Sequence, residues 1–257
     1  MNLSICIIAH NEEEKLGDTL ESARFADEVI VVDCGSSDAT PILARSFGVR
    51  LFSRPNLTNL NVNKNFAFAQ AGGDWILCLD ADEVVPEQTA EEIRGILAGN
   101  PRENGFFLPR RNHLLGRRLR FGGSYPDYQL RLFRRGKGRF PEKHVHERLQ
   151  VEGAVGYLRS PLEHYPYVTK EECRRKLDLY TSFEADYLYK QNVRPSLLQA
   201  FRFLVWQPFQ RFVRRYLFKL GFLDGRVGWC AIMMDMSNFR LRYLKLRRLV
   251  RQRGIRK

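Results

Sequence analysis

Over the first hundred residues, short apolar runs alternate with amphipathic segments. Leu3 to Ala9 is nearly continuous in apolar residues and predicts a buried parallel strand. His10-Asn11 ends it. Glu12, Glu13 and Glu14 open a helix at the end where acids favour the dipole, and Leu16, Leu20 and Ala23 form its inner face. Val29 to Val32, β-branched throughout, predicts a second strand ending at Asp33. Ser36, Ser37 and Asp38 are natural caps for a helix over about 39–47. Leu51-Phe52 predicts a short third strand, 61–71 an amphipathic helix stopped by Gly72-Gly73, and 75–79 a fourth strand. This alternation predicts an α/β fold, a mostly parallel sheet flanked by helices.

The pattern changes downstream. A helix over 87–97 and a strand over 105–111 precede a segment rich in Arg and Gly, 112–125, expected as a loop or short hairpin. Residues 127–135 alternate polar and apolar and predict a strand. Residues 169–189 predict a helix with Thr169 as N-cap and Glu171-Glu172 in its first turn. Arg194-Pro195 breaks it. Beyond, Phe201, Phe203, Trp206, Phe209, Phe212 and Tyr216 are interleaved with Arg202, Arg211, Arg214 and Arg215, a pattern that fits a helix lying in a membrane interface. The expected division is a catalytic domain over 1–195 and a basic amphipathic helical tail over 196–257.

Composition sharpens this. A chain of 257 residues can bury one substantial core with an appended subdomain. The five cysteines are scattered without a Cys-x-x-Cys pair, which argues against a disulfide framework or zinc site and for a reducing compartment. Neither a signal peptide nor a run of 18 apolar residues is expected. Residues 201–257 hold 15 Lys and Arg against 2 Asp and Glu, which accounts for the whole formal charge of +13. Such asymmetry points to an anionic partner. Apolar runs of helical type and the lack of a recognised module favour an anionic membrane surface over nucleic acid.

The candidate chemistry begins where the fourth strand ends in Asp80-Ala81-Asp82-Glu83. Carboxylates at the carboxyl end of a strand sit where open α/β sheets bind ligands. Two of them one residue apart suit a divalent ion that takes phosphate oxygens as its other ligands. The first strand is not followed by Gly-x-Gly-x-x-Gly, so a dinucleotide site is not expected.

Ile7-Ile8-Ala9-His10-Asn11-Glu12, Asp33-Cys34-Gly35-Ser36-Ser37-Asp38-Ala39-Thr40, Asn63-Lys64-Asn65 and Asp80-Ala81-Asp82, in this order, resemble the motifs of family 2 glycosyltransferases with the GT-A fold. Together with His146-Glu147 and Gly221 to Gly228, the chain is similar to the lipopolysaccharide core glucosyltransferases of the WaaE/KdtX type. The resemblance implies a nucleoside diphosphate sugar donor (a UDP-hexose) and a lipid-linked saccharide acceptor at the cytoplasmic face of the inner membrane. Ala9, Asn11, Glu12, Asp33, Lys64 and Asp80 are then the donor-binding residues. Asp82, with His146, is the expected holder of a divalent cation, Mg²⁺ or Mn²⁺. Lys64 is equally readable as a solvated charge, and Asp38 and Thr40 as structural caps. An inverting transferase needs a carboxylate to take the acceptor's proton. Glu147 is the first candidate and Asp127 the second, while His164 reads as structural. The Gln-x-x-Arg-Trp of processive synthases is absent, so transfer of one sugar is expected. The alternatives are a non-catalytic membrane partner that keeps a nucleotide-sugar fold, and a metal-dependent nucleotidyltransferase.

Overall fold

The computed structural model describes residues 2–57, 59–142 and 147–254. The chain forms two compact units, one of residues 1–111 and 126–164, the other of 112–125 and 165–257.

The first unit is built on β1 (Leu3–Ala9), a strand buried on both faces. It pairs in parallel with β2 (Glu28–Asp33) on one side and β4 (Trp75–Asp80) on the other, and β2 carries β3 (Arg50–Ser53) at the edge. Beyond β4 the direction reverses: β8 (Asp127–Arg134) runs antiparallel to β4, and β6 (Gly105–Leu114) antiparallel to β8. After the short strands β9 (Gly138–Arg139), β10 (Gln150–Val151) and β11 (Val155–Tyr157), β12 (Leu162–Tyr167) pairs with the short β5 (Glu83–Val84), which sets His164 opposite Glu83.

Alternation along β1 explains the layers. Leu3, Ile5, Ile7 and Ala9 face one side, where they meet α1 (Leu16–Ser22), α2 (Thr40–Ser46) and α4 (Glu87–Ala98). Cys6 faces the other, with Ile30, Val32, Ile76 and Cys78 from its neighbours, under Ala67 and Phe68 of α3 (Leu60–Gln70). Register then aligns the chemistry. Ala9 sits opposite Asp33 and Ile8 opposite Asp80, so β1, β2 and β4 end at one edge of the sheet.

In the second unit the end of β6 turns back on β7 (Arg117–Arg118) through Leu115 and Gly116, both at positive φ, a two-residue hairpin within the Arg- and Gly-rich segment. The long α5 (Lys170–Lys190) starts as expected: Thr169 accepts from the Glu172 amide, and the Glu172 side chain accepts from the Val168 amide. The following helical stretch comprises α6 (Leu197–Phe201), a π turn (Arg202–Trp206), α7 (Gln207–Phe212) and a second π turn (Val213–Phe218). A 30-residue helix, α8 (Gly225–Gly254), follows. Arg242 of α8 pairs with Glu184 of α5 at 2.7 Å, and Lys245 with Asp178 at 2.6 Å. The buried Tyr243 stacks on Phe203. Gly228 has no room for a side chain, since a Cβ there would lie 2.2 Å from the Gly221 carbonyl oxygen.

Candidate active site

Three loops meet at the carboxyl edge of the parallel strands. The loop after β1 is laced to the loop after β2. The Asn11 amide donates to the Ser36 hydroxyl at 2.9 Å, the Ser37 amide to Asn11 Oδ1 at 2.8 Å, and the Glu12 amide to the Thr40 hydroxyl at 2.9 Å. Asn11 takes a left-handed backbone (φ 54°), which an Asn accepts more readily than most residues. Asp38 accepts from the Thr40 and Glu13 amides, and Asp33 is buried with its carboxylate on the Ser36 amide. Asp38 and Thr40 thus act as structural ties.

The third loop follows β4, and here the side chains form a chain of alternating charge. Lys64 of α3 donates to Asp80 Oδ1 at 2.6 Å. Arg131 of β8 pairs with Asp80 Oδ2 and, at 2.6 Å, with Glu83 Oε1. Arg110 of β6 reaches the same Glu83 oxygen at 3.0 Å and holds Asp127 at 2.7 Å. Gln129 donates to the other Asp127 oxygen at 2.8 Å. Three cations and three anions therefore run Lys64–Asp80–Arg131–Glu83–Arg110–Asp127 without net charge. Such burial is tolerable because each charge is paired and hydrogen-bonded.

Electrostatics follow from the pairing. Burial alone would raise the Asp80 pKa, but Arg131 and Lys64 outweigh it and hold the carboxyl well below its usual range. Burial works against the Lys64 ammonium, and Asp80 more than compensates, lifting it above the ordinary lysine value. Lys64 is an ion-paired, largely enclosed charge rather than a solvated one.

Asp82 points elsewhere. Its Oδ1 lies 3.5 Å from His164 Nε2, both side chains being largely buried. The β5–β12 pairing delivers His164, expected as structural, beside the acidic loop. Burial depresses the His164 pKa in spite of Asp82 and Glu83, which favours the neutral imidazole that can ligate a metal. Thr19 of α1 fixes the loop by donating to the Ala81 carbonyl at 2.9 Å.

Among the described residues no group of three or more His, Cys, Asp and Glu is arranged to hold a metal ion. The pair Asp82–His164 nonetheless fits an ion that takes its remaining ligands from water and phosphate oxygens. Each Asp80 oxygen is already engaged by a cation, which leaves Asp82 the acid better placed to ligate an ion. The expected partner His146, with His144, lies outside the described residues. Glu147 is half-buried at the border of that segment. The sequence reading gave no site role to Glu83, Arg110, Arg131 or His164. The signal available was the acid directly after Asp82 and two arginines on strands flanking the fourth.

A half-parallel sheet with paired acids where its central strand ends, completed by antiparallel strands that bring basic residues to them, defines a GT-A transferase. The glycosyl transferase family 2 profile matches residues 4–165, and the chain belongs to that family. It is 32% identical over 83% of its length, and 80% of the relative's, to the lipopolysaccharide core biosynthesis glycosyltransferase LpsC of Rhizobium meliloti. It is 29% identical to an uncharacterized glycosyltransferase of Rickettsia bellii, covering 96% of this chain and 86% of that one. Among solved structures, TarS 1-349 of S. aureus, in complex with UDP-GlcNAc, superposes with a TM-score of 0.52 at 15% identity over 96% of this chain and 92% of that one. The mannosyltransferase PcManGT of Pyrobaculum calidifontis, in complex with GDP-Man and Mn²⁺, gives 0.54 at 13% identity over 95% and 86%. These likenesses show the fold.

Proposed function

We propose that this family 2 glycosyltransferase moves a single hexose, with inversion, from a UDP-hexose to a lipid-linked saccharide, the inner core of lipopolysaccharide. The observation that carries the reading is the junction after β4, where Asp80 is fixed by two cations while Asp82, two residues on, faces His164. The LpsC likeness supports a lipopolysaccharide acceptor, and the ligands of the two fold neighbours support a nucleotide-sugar donor.

In this reading the Ala9–Glu12 loop, Asp33, Lys64 and Asp80 receive the nucleoside. A divalent ion, Mg²⁺ or Mn²⁺, when bound, neutralises charge that builds on the leaving diphosphate. Asp82 and His164 would hold it, with His146 as a further candidate. Glu147 takes the acceptor hydroxyl's proton. Asp127 is the second candidate, because Arg110 and Gln129 already engage both of its oxygens.

The second unit brings the enzyme to its acceptor at the cytoplasmic face of the inner membrane, with residues 196–257 as the contact. Leu198, Phe201, Val205 and Phe209 recur at helical spacing and are all exposed, with Leu197 92% and Phe218 81% exposed. The exposed Arg202, Arg214 and Arg226 accompany them. Among the described residues no helix is long and apolar enough to cross a membrane. An interfacial helix with basic flanks binds an anionic leaflet from one side instead.

The test is donor turnover. Purified protein is given Mg²⁺ or Mn²⁺ and a panel of nucleotide sugars, and released nucleoside diphosphate is followed with and without EDTA. Metal-dependent release from one UDP-hexose is expected. Failure to bind any nucleotide sugar by calorimetry would overturn the reading.

A further inference from the structure

Glu83 lies between the two parts of the site and is the most enclosed member of the charged chain. Its side chain is 0% exposed, so it touches neither donor nor acceptor. Both of its oxygens act as acceptors. Oε1 receives Arg110 Nη1 at 3.0 Å and Arg131 Nη2 at 2.6 Å, and Oε2 receives the Asp80 amide at 2.9 Å. One carboxylate thus fixes the backbone of Asp80, the cation on the Asp80 side chain and the cation on Asp127. The β5–β12 pairing that buries Glu83 also sets it opposite His164, the partner of Asp82.

We propose that Glu83 is a positioning residue that sets donor affinity, acting through Arg131 on Asp80 while Arg110 ties the same carboxylate to Asp127. The proposal rests on the donor-binding role given to Asp80 above. Its chemistry is specific to a carboxylate. An amide has one acceptor oxygen and one NH₂ group. In Glu83→Gln the NH₂ must face either two guanidinium groups or the Asp80 amide, so one set of donors loses its acceptor. Either outcome releases Asp80 from its present orientation.

The test is steady-state kinetics of Glu83→Gln and Arg131→Lys beside the parent, at low temperature so that a folded fraction persists. Arg131→Lys retains one cation but cannot serve Asp80 and Glu83 with a planar fork. Loss of folded enzyme lowers the maximal rate and leaves KM alone, so KM separates positioning from mere destabilisation. Donor KM is expected to rise tenfold or more in both variants, with kcat corrected for the folded fraction changing less than threefold. Donor KM within twofold of the parent in both variants overturns the proposal, as does a fall in corrected kcat at unchanged KM. A parent enzyme that turns over no nucleotide sugar overturns the functional reading itself, and this inference with it.

Discussion

Arg110 and Asp127 are directly opposed residues of two antiparallel strands, and two nitrogens of Arg110, Nε at 3.1 Å and Nη2 at 2.7 Å, converge on a single oxygen of Asp127. Gln129 holds the other oxygen at 2.8 Å, so neither is well placed to receive an acceptor hydroxyl. Glu147→Gln is therefore expected to lower kcat by about 10²-fold or more, the usual scale of general-base loss, with donor KM unchanged. Asp127→Asn should keep kcat within about tenfold while lowering Tm, because it leaves a half-buried guanidinium short of its partner. Rates measured for the two variants with one donor and one acceptor decide the matter. The reverse order would move the base to Asp127.

The Asp82–His164 pair sets a metal prediction. Asp82→Ala should lose turnover by orders of magnitude with its circular dichroism intact. His164→Gln should raise the Mn²⁺ concentration needed for half-maximal rate without abolishing the rate at saturation. Chelation by EDTA should silence the parent, and re-addition of Mn²⁺ or Mg²⁺ should restore it. Near-parental rates for Asp82→Ala in excess EDTA would remove the assignment.

Acid stability should depend on two carboxylates remote from the site. Burial disfavours ionised Glu28, but Ser4, the Gly72 amide and Arg50 outweigh it and lower its pKa. Glu92 is lowered in the same sense, burial being outweighed by the Arg159 and Ser160 amides at 2.9 Å and 2.7 Å. A carboxylate whose folded pKa lies below its unfolded value stabilises the protein above the unfolded value, about 4.3 for Glu, and loses that contribution as pH falls through the folded one. Urea titrations from pH 7 to pH 3 should show a shallow loss of stability below about pH 6.5, where unfolded His164 protonates before the folded one, and a steeper loss below about pH 4.5. Glu28→Gln and Glu92→Gln should each flatten the acid limb. An unchanged slope in both would show that these carboxylates do not govern it.

Membrane binding is better tested by point changes than by truncation. Removing residues 201–257 would also strip Glu184 and Asp178 of α5 of their partners Arg242 and Lys245. Phe201→Ser, Phe209→Ser and Phe218→Ser leave those contacts in place. Each lost Phe insertion is worth about 2 kcal/mol, or roughly 30-fold in partitioning. Co-sedimentation with vesicles containing anionic phospholipid should fall stepwise through the series, while turnover of a soluble acceptor persists. Undiminished sedimentation of the triple variant would show that this face is not the contact.

The parallel half of the fold was legible because β1, β2 and β4 are largely buried on both faces and read as apolar runs. Leu3–Ala9 was placed to the residue, and the other parallel strands to within a residue or two. The loop residues Asn11, Asp33 and Asp80 were legible because they lie directly after those runs. Arg110, Arg131 and His164 were not, because they reach the site from antiparallel strands far along the sequence, and local pattern does not encode which strand will lie beside β4 or β5. The helix over 225–254 was expected only as part of a helical tail over 196–257, without bounds of its own. Its interior is held to α5 by ion pairs while its buried Tyr243 stacks on Phe203, so apolar periodicity alone does not mark its ends.

The six charges from Lys64 to Asp127 constrain how this site can diverge among descendants. Because they alternate and cancel, a change of any one leaves an uncompensated charge in a largely enclosed place. Lineages that lose Arg110 should therefore also have lost Glu83 or Asp127, and those that neutralise Asp80 should have altered Lys64 or Arg131. Substitution here proceeds in couples or not at all, and an alignment of descendants would record the couplings as covarying columns rather than as six separately fixed ones.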